Sequence, residues 1–167
     1  MPTNTVPVNG SDADRELEAR TRDGLARYAT LRIWGHALQI QARGGLVILN
    51  GHVRTRTGRE TAESIIRQVP GVSDVKNELY VDTDLEMEVA RALGQNPRTA
   101  DAFPGILVGS GFGEIFLKGH VVSAEVARAA AEIAGQVPGV LRVVNDLAAP
   151  VPPEPLTPPA EELGRSQ

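Results

Sequence analysis

Apolar residues along this chain follow two spacings that alternate with each other. Leu17 and Leu25 lie on one face at helical spacing and predict a helix over residues 13–27. The apolar-polar alternation of residues 38–41 and the apolar run of residues 46–49 then predict two strands. The two glycines between these runs indicate a β-hairpin.

A second helical pattern follows the hairpin. Residues 62–69 place apolar side chains at i, i+3, i+4 and i+7, the spacing of a buried helix face. Thr57 and Glu60 are spaced as a capping box, so we expect them at the start of this helix. The Pro-Gly pair at 70–71 ends it, and residues 75–81 predict a third strand.

The same order of elements returns 68 residues later. The sequence Gly-His-Val at residues 51–53 recurs at 119–121, and Gln-Val-Pro-Gly-Val at 68–72 recurs at 136–140. Nearly all of the matched residues are apolar, Gly or Pro. Matched polar chemistry is almost absent, which favours a duplicated scaffold over a duplicated reaction centre.

The second copy therefore predicts its own set of elements. We expect a helix over residues 85–95 capped by Asp84, a glycine-rich hairpin turn over residues 109–113, and a second helix over residues 130–137. A third strand is predicted over residues 143–148, and only Asp82 and Thr83 are expected to link the two copies.

These elements define an α+β fold. We predict two tandem α-β-β-α-β repeats, residues 15–82 and 83–149, each a three-stranded mixed sheet with two helices on one face. Residues 1–14 and the proline-rich residues 150–167 are expected to be disordered.

Composition narrows the classes of function. The 167 residues include no cysteine, which excludes disulfides and thiolate metal sites. No apolar run approaches the length of a membrane span, and the N-terminus lacks the basic start and apolar core of a secretory signal. We therefore expect a cytoplasmic protein, with the periplasm as the location only if a leader has been removed.

Charge is divided unevenly between the repeats. Residues 15–82 hold eleven Lys and Arg against eight Asp and Glu, and residues 83–150 hold five against eight. This is too weak for a dedicated nucleic-acid binder. Arg54, Arg56 and Arg59 are the densest basic cluster and precede a helix start, where an anion is favoured. A lipid phosphate or an acidic protein could bind there, and an ordinary solvated loop is the competing interpretation.

Other candidate residues are few. Phe112, at the predicted hairpin tip, is the aromatic residue expected to insert into a partner or a membrane, or else to pack between the repeats. His52 and His120 occupy equivalent places after the second strand, and we expect them exposed or half-buried rather than bound to metal. No catalytic residues and no cofactor are predicted.

The strand-Gly-x-Val pattern and Val-Pro-Gly-Val before a Val-x-Asn-x-Leu strand, each present twice, resemble the BON domain, the module named for bacterial OsmY and nodulation proteins. The resemblance implies a non-enzymatic binding or assembly module that associates with anionic phospholipid or with an envelope-linked protein, and a link to osmotic stress. The alternatives are a cytoplasmic sensor of a small ligand or an ion such as potassium, and an oligomerisation module that uses exposed strand edges.

Overall fold

A computed structural model describes residues 10–28 and 38–150. The first half of the chain forms α1 (Asp12–Ala26), β1 (Leu38–Arg43), β2 (Leu46–Val53), α2 (Arg56–Arg67) and β3 (Asp74–Val81). The second half forms α3 (Asp82–Gln95), a 3-10 turn (Phe103–Gly105), β4 (Ile106–Gly111), β5 (Glu114–His120), α4 (Ala124–Gly135) and β6 (Arg142–Ala148).

Each half contains one three-stranded mixed sheet. In the first sheet, of order β1-β2-β3, β2 pairs antiparallel with β1 and parallel with β3. The second sheet, β4-β5-β6, repeats this arrangement. The predicted α+β fold of tandem repeats is thereby confirmed, because the connection through a helix is what allows β3 and β6 to run parallel to their neighbours.

Alternation along the central strands builds a separate core in each half. Val47 and Leu49 of β2 are fully buried against both helices of the first repeat, as Ile115 and Leu117 of β5 are in the second. Helix α4 contributes mainly alanines to its core, whereas α2 contributes isoleucines. The two-residue period of the strands therefore places one face of each sheet inside.

Two predicted helix caps are wrong. Helix α2 begins two residues earlier than expected, and its cap is Thr55 instead of Thr57, with the Thr55 hydroxyl accepting from the Gly58 N–H at 3.2 Å. Helix α3 begins at Asp82 with Val81 as its cap residue and no side-chain cap bond, so Asp84 lies inside the first turn. The physical reason is that β3 runs straight into α3, and no linker of the predicted kind separates them.

Other boundaries also move. Strand β4 continues to Gly111, so the turn of the second hairpin is limited to Phe112 and Gly113 rather than the five residues predicted. Ser11 caps α1, with its hydroxyl accepting from the Asp14 N–H. Helix α1 therefore begins at Asp12, one residue before its predicted start at residue 13, and includes the last three residues of the segment expected to be disordered. Residues 1–9 and 151–167 lie outside the described residues.

Candidate functional site

A carboxylate on the first helix of each repeat holds the turn of the following hairpin. Asp14 accepts from the Gly44 N–H at 2.8 Å. Asp82, 68 residues later, accepts from the N–H groups of Phe112 at 2.7 Å and Gly113 at 3.1 Å. The hydrogen bond from Gly44 is the main cause that lowers the pKa of Asp14 below its ordinary value of 3.8.

A second carboxylate, one helical turn further on, holds the edge strand. Glu18 accepts from the Ala42 N–H at 3.0 Å, and Glu86 accepts from the Ser110 N–H at 2.9 Å. The offset of 68 again relates both partners. Sequence reasoning treated the acidic residues as scattered, although the matched pairs were visible in the sequence. The two copies therefore share polar contacts as well as apolar residues, and these shared contacts stabilise the fold.

The matched asparagines at 77 and 145 complete this set. Asn77 donates to the Arg59 carbonyl at 3.1 Å, and Asn145 donates to the Ala127 carbonyl at 2.9 Å. Each amide therefore ties the third strand to the second helix of its repeat. These three duplicated contacts position the hairpin and the helices on which the remaining features lie.

His52 joins the two repeats. Its Nε2 lies 2.6 Å from the Gly139 carbonyl oxygen, and its ring stacks on Tyr80 with centroids 5.5 Å apart. A carbonyl only accepts, so Nε2 carries a proton. His52 is buried and lies within β2, so the prediction of an exposed or half-buried position after the strand is wrong. His120 ends β5 and is exposed.

A cleft of about 510 Å³ opens beside this contact, between the two hairpins. Its lining comes from both repeats: Gln39, Gly51, His52, Gly111, Phe112, Glu114 and Leu141. Phe112 is half-buried here, so the structure places it at the junction of the repeats. In the described part of the chain it is the one non-glycine residue with positive φ, at 52°.

The three predicted arginines do not form one open cluster. Arg54 donates across the repeats to the Ser110 carbonyl at 3.0 Å. The Nε of Arg56 lies 3.0 Å from both oxygens of Asp84, and Arg59 donates to the Asn77 carbonyl at 3.0 Å. The hydrogen bond with Asp84 is the first cause that raises the pKa of Arg56.

Arg56 and Arg59 share a shallow basin of about 430 Å³ at the start of α2. Three carboxylates also line it, those of Glu60, Glu63 and Asp84. An anion that binds there must therefore compete with Asp84 for the Arg56 guanidinium. All three arginines are exposed, so their remaining N–H donors stay accessible to solvent.

Across the described ranges, no group of three or more His, Cys, Asp or Glu side chains converges in a way that could hold a metal ion. No helix in those ranges is long and apolar enough to cross a bilayer.

The model of the BON domain matches residues 13–83 and again residues 81–149. The chain belongs to the BON domain family. Its two BON domains coincide with the two sheets and their helices, and the match spans the hairpins, the cleft and the arginine basin alike. The resemblance read from the sequence is confirmed.

Two similar proteins place these BON domains in context. The chain is 29% identical over 143 residues to the outer membrane lipoprotein DolP of Haemophilus influenzae, covering 79% of this chain and 72% of DolP. It also superposes on the C-terminal domain of CdsD, the structural protein of the type III secretion system of Chlamydia trachomatis. The TM-score is 0.65 at 17% identity, covering 83% of this chain and 67% of that domain.

The relation to DolP corrects the predicted location. A cytoplasmic protein was expected from the N-terminal sequence, but the similar protein is an outer membrane lipoprotein, which points to the cell envelope. The error arose because the composition of the first residues was taken to decide the compartment.

Proposed function

We propose that this pair of BON domains is a non-enzymatic binding module of the bacterial envelope that associates with anionic phospholipid through its first domain. The observation that carries the proposal is the separation of charge between the two domains, in a chain related to an outer membrane lipoprotein. An anionic surface attracts basic segments and repels acidic ones, so such a molecule approaches with its first domain forward.

Arg54, Arg56 and Arg59 remain the proposed contacts. They lie at the beginning of α2, where unpaired backbone N–H groups add a partial positive charge. Arg56 is 70% exposed in its ion pair with Asp84. An exposed pair of this kind contributes little to stability, so a lipid phosphate can replace the carboxylate at small cost.

The test is co-sedimentation of the full chain with phosphatidylglycerol vesicles at low and high salt. We expect binding at low salt that weakens steeply as salt is added, because contacts in water are screened over a Debye length of about 8 Å at physiological ionic strength. Neutral phosphatidylcholine vesicles should bind little. Binding that salt does not change, or no binding to any anionic vesicle, would leave an envelope-linked protein as the better partner.

Variants locate the contact. Arg56→Gln with Arg59→Gln should weaken vesicle binding by roughly tenfold or more, since each basic residue near an anionic surface is worth about 1 kcal/mol. The matched control is Arg91→Gln with Arg128→Gln, which removes the same charge from exposed positions of the second domain. Equal loss in both pairs would contradict a contact through the first domain.

Asp84→Asn should change vesicle binding in the opposite direction to the arginine substitutions. It removes the carboxylate that accepts from Arg56, and we expect tighter binding to the same vesicles. Weaker binding by Asp84→Asn would mean that the ion pair orients Arg56 for its ligand rather than competing with it.

A further inference from the structure

Strand β3 forms one edge of the first sheet, and side chains of its own domain cover that edge. Arg59 of α2 donates to the Asn77 carbonyl at 3.0 Å, and Glu63 of α2 accepts from the Asn77 amide at 3.1 Å. The Asp74 carboxylate accepts from the Val75 N–H at 2.8 Å. Because its outward backbone groups are already bonded, this edge offers little to a further strand.

Strand β6 forms the equivalent edge of the second sheet, and it lacks this cover. Helix α4 carries Ala127 and Ala131 where α2 carries its arginine and glutamate, and an alanine side chain has no group to bond to the strand. The Leu147 N–H donates to Asn145 Oδ1 of its own strand at 3.3 Å. In the part of the chain that the structure describes, no side chain bonds to the backbone of Val143 or Asn145. The β6 edge therefore presents these N–H and C=O groups to a further strand.

The exposure of the apolar side chains differs between the two edges in the same way. Val75 and Leu79 of β3 are 7% and 3% exposed. Their equivalents in β6, Val143 and Leu147, are only half-buried. The second domain thus ends in apolar side chains that it covers incompletely, and a strand added at this edge would remove them further from water.

The sequence of β6 is complementary to itself when two copies run antiparallel. If Val144 lies opposite Val144 of a second copy, Arg142 of each copy lies opposite Asp146 of the other. Cross-strand pairs of opposite charge attract each other. Arg142 is bonded to Glu114 at 2.9 Å, but both side chains of that pair are partly exposed, and a guanidinium has donors for a second carboxylate.

Strand β3 has no such complementarity. With Lys76, the equivalent of Val144, opposite itself, two like charges would meet, and Asp74 would lie opposite Glu78. Like charges directly opposite each other across two strands are destabilising. Charge therefore separates the two edges in the same sense as the hydrogen bonds and the exposure.

The antiparallel register also satisfies the open backbone groups of β6. It places Val143 opposite Asn145 of the second copy, and residues paired in this way exchange both N–H···O=C bonds. Leu147 keeps its bond to Asn145 and needs no partner in the second copy. Val144 adjoins Phe116 of β5, so apolar side chains would continue from one sheet to the other.

We propose that a second copy of this chain pairs with the β6 edge, antiparallel and with Val144 on the two-fold axis, so that the two three-stranded sheets become one. A single pair of strands buries a small area, and we therefore expect a reversible dimer. The arginine basin lies in the first domain, outside this interface. The dimer is independent of the proposed lipid binding and is tested without vesicles.

Sedimentation equilibrium of the full chain measures the association. We expect a monomer–dimer equilibrium that Asp146→Arg weakens by roughly tenfold, because two attractive cross-strand pairs become repulsive. Glu78→Arg makes the same change at the equivalent position of β3 and is the matched control. A monomer at every concentration, or an equal loss in both variants, would overturn the proposal.

A mixture of two variants tests the charge pairing itself. Arg142→Asp should weaken the dimer as Asp146→Arg does, but the two variant chains should associate with each other, since every arginine then faces an aspartate. Amide spectra of each variant alone show whether it is folded. A mixture that stays monomeric although both chains are folded would overturn the register.

The register can also be tested by a disulfide, because the chain contains no cysteine. The Cα atoms of a pair that is not hydrogen-bonded lie about 4.5 Å apart, within the range that a disulfide spans. Val144→Cys should therefore form a disulfide-linked dimer under mild oxidation, whereas Lys76→Cys, at the equivalent exposed position of β3, should remain monomeric. Equal cross-linking of both variants, or none in Val144→Cys, would contradict an axis at Val144.

Discussion

Asp14 and Asp82 perform the same task in different surroundings. Each accepts from a hairpin turn, but Asp82 is fully buried and accepts from two N–H groups of its turn, whereas Asp14 accepts from one N–H of its turn and from the exposed Ser11 N–H at the helix cap. Burial makes the loss of such an acceptor more costly, since the N–H groups it leaves behind cannot all be solvated.

We therefore expect Asp82→Ala to lower the free energy of unfolding by about 1–3 kcal/mol and Asp14→Ala to lower it less. Urea denaturation of both variants measures the difference. A larger loss in Asp14→Ala would show that burial does not decide the strength of this contact.

The stability of the first domain should depend on pH through the carboxyl group of Glu63. Hydrogen bonds from Arg67, first, and from Asn77 lower its pKa below the ordinary value of 4.5. A carboxyl whose pKa is depressed by folding stabilises the folded state above its unfolded pKa, and this contribution is lost as the pH falls through the folded pKa.

The chain should thus lose stability as the pH falls below about 4.5, and Glu63→Gln should lose less over the same window. Thermal unfolding between pH 3 and pH 6, roughly the range in which carboxyls titrate, measures this. The exposed Glu125→Gln is the comparison. An acid dependence that is unchanged in Glu63→Gln would mean that Arg67 and Asn77 do not favour the ionised form.

Helices α2 and α4 bury equivalent isoleucines in equivalent turns. Ile65 and Ile133 are 8% and 7% exposed and pack into the cores of their own domains. Ile65→Ala and Ile133→Ala should each lower the free energy of unfolding by about 2–5 kcal/mol. Chemical denaturation checks this, and an unchanged midpoint in either variant would contradict the assigned helix faces.

Local patterns predicted these elements because alternation and helical spacing are properties of neighbouring residues. The helix caps were harder to predict, because Thr55 and Thr57 are both suitable cap residues for α2 and the choice between them depends on where β2 ends. The partner of Glu18 lies 24 residues away and that of His52 lies 87 residues away. Such contacts depend on how strands and domains pack, which no local pattern contains.

The candidate site was predictable only in part. The sequence identified Phe112 and the three arginines, but it could not show that Asp84 pairs with Arg56 or that Phe112 lines a cleft with residues of the other domain. Both facts follow from the contact between the domains. The left-handed conformation of Phe112 could have been suspected, because Gly44 stands at its equivalent position.

Specific side-chain hydrogen bonds join the two domains in the described part of the chain. His52 bonds to Gly139, and Arg54 bonds to Ser110. Removal of a buried donor leaves the Gly139 carbonyl without its partner. We expect His52→Ala to lower the free energy of unfolding by about 1–3 kcal/mol.

His120→Ala is the matched control, since this residue has the equivalent place in the second domain and is exposed. Calorimetry should show His52→Ala melting in two separated transitions if the contact couples the domains. A single transition with no loss of stability would mean that other contacts suffice.

The direct passage of β3 into α3 has a consequence for how the molecule can engage two targets at once. Val81 ends a strand, and Asp82 begins a helix with no residue between them. When two binding modules are joined by a flexible linker, the second module can reach targets at many distances from the first. Here no linker allows that search, so any two targets held by the two domains would have to lie at a spacing that the fold itself sets.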